Sequence, residues 1–78
     1  MYKVIVTVPE GLGDLVLRIT QPASPGFIKP VMVDEEGMEE VEFYCQPRSL
    51  PGLVEQIKNL GSDDDISLDI YKLNSIHD

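Results

Sequence analysis

A chain of 78 residues, 42% hydrophobic and 26% charged, has the composition of an ordinary globular protein, and the whole of 1–78 reads as one small domain. Fourteen acidic residues against six basic ones give a formal charge of −8, which disfavours direct contact with nucleic acid or an anionic membrane, because both need clustered Lys and Arg. No apolar run approaches the roughly 20 residues that span a bilayer, no signal peptide is read at the start, and a single cysteine excludes an internal disulfide framework, so a cytoplasmic location is expected.

Residues 2–8 alternate, with Tyr2, Val4, Val6 and Val8 on one side and Lys3, Ile5 and Thr7 on the other, which predicts a strand that Pro9 ends. Residues 10–20 admit two readings. The run LVLRIT alternates and is rich in β-branched residues, so residues 2–20 read as a hairpin whose loop holds Gly11 and Gly13. The competing reading is a helix with Leu12, Leu15, Val16 and Ile19 on one stripe. Two glycines, each costing about 0.8–1 kcal/mol inside a helix, weigh toward the hairpin. Residues 21–30 contain three prolines and read as a loop crossing a sheet edge, with Phe27 and Ile28 tucked beneath the sheet.

Residues 31–34 and 38–46 read as strands around a tight turn in which Gly37 takes a positive φ. On the second of these, Val41, Phe43 and Cys45 share the inward face, and Glu40, Glu42, Tyr44 and Gln46 the outward one. Residues 49–61 predict a helix: Leu50, Leu53, Val54, Ile57 and Leu60 form one stripe. Ser49 is its expected N-cap, Pro51 sits in the first turn and Gly61 is the expected left-handed stop. A polar loop at 62–65 precedes a last strand at 66–71, and residues 74–78 are expected to fray.

The fold class is therefore α+β, a small two-layer sandwich of an antiparallel-dominated sheet and one helix in the order ββββαβ, with βαββαβ as the alternative. The second order resembles the general plan of ferredoxin-like regulatory domains, among them amino-acid-sensing and nitrogen-signalling modules. That resemblance lies in element order alone, and no residue's role is carried over from it.

No catalytic motif stands out. Cys45 and His77 are the only thiol and the only imidazole, but the register turns Cys45 inward and His77 lies near the end of the sequence, so no catalytic pair and no zinc set is expected. Asp63, Asp64 and Asp65 lack the spacing of a calcium loop. Gly11 and Gly13 follow a strand, as in a phosphate-binding turn, but without a third glycine or a lysine. No cofactor is expected.

The most prominent feature is the acidic hairpin, where Asp34, Glu35, Glu36, Glu39, Glu40 and Glu42 fall within nine residues with no basic residue between Lys29 and Arg48. Carboxylates so crowded attract a Lys/Arg-rich surface, or simply guard an edge strand against association. The expectation is a non-enzymatic acidic module of inhibitor, immunity-type or adaptor character. It would dock on a basic partner protein, such as one that itself binds nucleic acid, through Glu35, Glu36, Glu39, Glu40, Glu42 and Tyr44. The alternative is an oligomeric small-ligand-sensing domain, a homodimer in its simplest form, with its ligand near residues 11–14 and 22–30.

Overall fold

The computed structural model describes residues 1–23, 32–61 and 65–73. Its elements run β1 (Tyr2–Val8), α1 (Gly13–Thr20), β2 (Met32–Val33), β3 (Glu39–Cys45), α2 (Leu50–Lys58) and β4 (Ser67–Lys72), with short 3₁₀ turns at Gln21–Ala23 and Pro47–Ser49. The four strands form one antiparallel sheet in the order β2-β3-β1-β4, and the helices cover one face of it. The α+β sandwich expected from the sequence is present, in its βαββαβ, ferredoxin-like form.

The hairpin reading of residues 2–20 is corrected, and the reason lies in where the glycines fall. Gly11 sits before the helix, in a turn where it takes φ +94°, and Gly13 is the first helical residue, so neither weakens the helix interior. The buried stripe of α1 is also rotated from the expected one. Gly13, Val16 and Thr20 are buried, Leu12, Leu17 and Ile19 pack beside them, and Leu15 is 39% exposed. Thr20 is buried without penalty because its hydroxyl donates to the Val16 carbonyl at 2.9 Å.

β1 is the central strand. It pairs with β3 from Tyr2 opposite Cys45 to Val8 opposite Glu39, and with β4 from Tyr2 opposite Lys72 to Thr7 opposite Ser67. Its inward residues Val4, Val6 and Val8 meet Val41, Phe43 and Cys45 of β3, Val16 of α1, and Leu53 and Ile57 of α2 in a single core. The expected stripe of α2 is the buried one, with Leu50, Val54 and Leu60 half-buried at its margins.

The ends of α2 differ from expectation. A 3₁₀ turn leads into the helix, so Ser49 is already in helical conformation and its side chain makes no capping bond; Pro51 does fall in the first turn. The helix stops at Lys58, where Asn59 N–H and Leu60 N–H close on the Glu55 and Ile57 carbonyls. Gly61 has no positive φ and instead lies close to Ile66 and Leu12. Of the expected 31–34, Met32 and Val33 form β2, Asp34 falls in the turn, and residue 31 lies outside the described residues. The tuck of Phe27 and Ile28, the aspartates 63 and 64, the fraying of 74–78 and His77 all lie outside the described residues.

Candidate functional site

Antiparallel pairing decides which side chains share an end of the sheet. At the end where β1 finishes stand the turn into α1, the hairpin between β2 and β3, the start of β3 and the exit of α2. Glu10, Asp14, Asp34, Glu35, Glu36, Glu39 and Asp65 gather there, with Lys58 the one described cation. At the other end are the amino terminus, Lys3, the last turn of α1 with Arg18, the start of α2 with Arg48, and Lys72. Charges scattered along the sequence are thus sorted by the fold into an acidic end and a basic end, an asymmetry that the net charge conceals.

Two of the hairpin carboxylates are parts of the fold. Asp34 Oδ1 accepts the N–H groups of Glu36 and Met38, each at 2.9 Å, while Asp34 N–H donates to the Met38 carbonyl and Gly37 N–H to the Asp34 carbonyl. This is an Asx turn closed by Gly37 at φ +82°, the positive φ expected. Asp34→Ala should destabilise the protein by about 1–2 kcal/mol, read as a lowered urea midpoint, because two backbone donors lose a charged acceptor. Glu39 turns to the helix side of the sheet, where its Oε1 accepts the Gly13 N–H at 2.8 Å and caps the start of α1.

The remaining residues expected to bind a partner are divided. Glu35 and Glu36 are exposed at the tip of the hairpin. Glu40, Glu42 and Tyr44 line the open sheet face, as the register required. There Tyr44 donates to Glu42 Oε2 at 3.3 Å, and Lys3 Nζ stands 4.0 Å from Glu42 Oε1 and 5.9 Å from the centre of the Tyr71 ring. β1 separates β3 from β4, so Tyr44 and Tyr71 are not neighbours; Lys3 lies opposite both. The single uncompensated cluster expected from the sequence is therefore three separate arrangements: a turn, a helix cap, and an open-face group with its own lysine.

Cys45 is inward and 2% exposed. Burial pushes its thiol above the ordinary value, and the Met1 ammonium offsets part of that rise. A raised folded-state value means the unfolded chain ionises first, so the stability due to the neutral thiol is complete below the ordinary thiol range and falls as pH rises through it. Above the ordinary thiol range Cys45→Ala should flatten the fall of stability with rising pH, measured as the difference between urea midpoints of the two proteins at each pH.

Among the described residues, three surface hollows accompany these groups. A groove of about 440 Å³ at the basic end is lined by Ile19, Pro22, Ala23, Arg48, Ser49, Gly52, Leu53 and Gln56. A second, of about 390 Å³, runs between α2 and β4 along Val54, Lys58, Ile66, Leu68 and Ile70. The third, about 340 Å³, is bounded by Asp34, Glu35 and Glu36 and is anionic. Among the described residues no cluster of His, Cys, Asp and Glu is arranged to hold a metal ion, and no helix is long and apolar enough to cross a membrane.

An antiparallel βαββαβ sandwich of this size is the ferredoxin-like class. Within that class the chain is similar to the crystal structure of acylphosphatase from Bacillus subtilis, with a TM-score of 0.63 and 22% identity over 99% of this chain and 92% of that one. No protein-family model and no curated protein sequence matches it. The likeness establishes the fold and assigns no residue.

The neighbour is an enzyme, and this corrects the expectation of a non-enzymatic acidic module of inhibitor or adaptor type. A domain of matching extent carries an enzyme's name, so the small size of this chain does not argue against catalysis. The physical basis of the expectation has weakened too, since Asp34 and Glu39 serve the fold and Glu42 lies beside Lys3. The ligand position expected for a sensing domain falls partly on residues 24–30, outside those described, and its Gly13 N–H is already held by Glu39. Sequence reading missed the role of Glu39 because a cap that reaches across 26 positions leaves no local pattern. Pairing Val8 with Glu39 beside the helix start would have been the signal.

Proposed function

We propose that this chain is a small hydrolase acting on acyl phosphates, with the phosphoryl group received at the basic end beside Arg48. The single observation that carries the reading is the end-to-end likeness to an acylphosphatase, which takes in 99% of this chain and 92% of that one.

The reaction suits a thin domain. Water attacks phosphorus, the bridging P–O bond breaks, and the carboxylate leaves with the electron pair while a proton passes to solvent. A carboxylate of pKa about 4 leaves without help from a general acid. What remains for the protein is to neutralise and orient the phosphoryl oxygens. The basic-end groove offers the Arg48 guanidinium, the Ser49 hydroxyl, free of any capping bond, and the Gln56 amide. The opposite end, ringed by carboxylates, repels a dianion. The same reading keeps the chain in the cytoplasm, where a lone reduced thiol is ordinary.

The test is release of inorganic phosphate from acetyl phosphate by purified protein, followed against the uncatalysed rate. Hydrolysis that saturates with substrate and is lost on removal of Arg48 supports the proposal. A rate equal to that of buffer alone ends it.

A further inference from the structure

We propose that two copies of this chain associate about a two-fold axis through β4, joining their sheets edge to edge into one antiparallel sheet of eight strands. Among the described residues β4 has a partner on one side only, so its outward N–H and C=O groups face solvent along six residues. Ile70, Tyr71 and Leu73 on and beside this strand are 43%, 49% and 38% exposed. Behind them the groove between α2 and β4 continues the apolar surface through Leu68 and Ile66.

Charge selects this edge and a second copy as its occupant. The other edge, β2, is two residues long and is followed by Asp34, Glu35 and Glu36, with Glu40 opposite Met32, so two such edges repel each other. β4 carries one Asp and one Lys and is balanced. Two-fold pairing runs the strands oppositely, which sets the acidic end of one copy beside the basic end of the other and sends the two acidic hairpins to far corners. Residues that face each other across an antiparallel pair lie on the same side of the sheet, so a register centred on Ile70 is consistent with the pleat. It stacks Ile70 on its own symmetry mate, brings Asp69 beside Tyr71 of the second copy, and lays the Lys72 stem over Leu68.

The inference does not depend on phosphate release, and mass measurement tests it separately. Light scattering on the full chain at about 100 μM should give twice the 8.7 kDa chain mass. Ile70→Lys should raise the dissociation constant at least 100-fold, since two like charges would meet at the axis, and Val33→Lys on the other edge should leave it unchanged. Ile70→Cys should cross-link to itself under mild oxidation, while buried Cys45 does not react. Because the cross-link forms without an added charge, it reports on the interface even if the lysine variant fails to fold. A single-chain mass at 100 μM, or dissociation by Val33→Lys with none by Ile70→Lys, overturns the proposal; failure of Ile70→Cys to cross-link within a confirmed dimer overturns the register.

Discussion

Replacing Phe43 with alanine should remove about 3–5 kcal/mol and lower the urea midpoint by about 3 M. Phe43 is the largest fully buried side chain, 0% exposed, and its place in β3 sets it opposite Val4 of the central strand. Removing the ring leaves a hole in a thin core to which both helices and the strands β1 and β3 contribute. A chain of 78 residues has on the order of 4–12 kcal/mol in total, so one substitution takes a third or more of the whole. Leu15→Ala, by contrast, should cost under about 1 kcal/mol, since that side chain is already 39% exposed on the outer side of α1. Equal losses from the two would mean that the core is not the one described.

Arg48→Ala should lower kcat/KM for acetyl phosphate about 100-fold, the usual consequence of deleting one fixed donor to a developing charge. Stability should stay within about 0.5 kcal/mol, because Arg48 is exposed and holds no described element in place. Two companions sharpen the result. Arg18→Ala removes an equal charge from the last turn of α1 and should change the rate by only a few-fold, since Arg18 does not line the groove. Arg48→Lys keeps the charge but loses the planar fork and should fall between wild type and the alanine variant. If Arg18→Ala and Arg48→Ala lower the rate alike, general attraction of an anion is the cause and the groove has no special part.

Much of the architecture is written in the periodicity. The alternation of β1, β3 and β4 and the stripe of α2 are visible in the sequence because each element buries one face and the spacing of its apolar residues must match. α1 was harder to read. Its residues Leu15–Thr20 satisfy both the two-residue and the 3.6-residue period, and the glycines that weighed against a helix turned out to lie in the turn and at the first helical position. The choice between the two periods is made by tertiary structure: Val16 joins Val41 and Phe43 in the core only after the sheet exists.

The candidate site was less legible than the fold. The acidic stretch is obvious in the sequence, but its division among a turn, a cap and an open face depends on side-chain direction and on which strand lies beside β1. Lys3 is 39 positions from Glu42, and no local pattern joins them. Nor does the sequence show that Arg18, Arg48 and Lys72 occupy the same end of the sheet. That follows only once three strands and two helices have been given their directions.

The central place of β1 has a consequence for the life of the chain. Its run Tyr2–Val8 holds three valines and an isoleucine, no acidic residue and a single lysine, which is the composition of segments that stack into fibrils. Within the fold both of its edges are taken, one by β3 and the other by a strand some 60 residues further on. Clipping anywhere in the connection that leads to β4 would therefore do more than shorten the sheet. It would release the covering strand and turn the most self-adhesive segment of the molecule outward, making protease resistance there a condition of staying in solution.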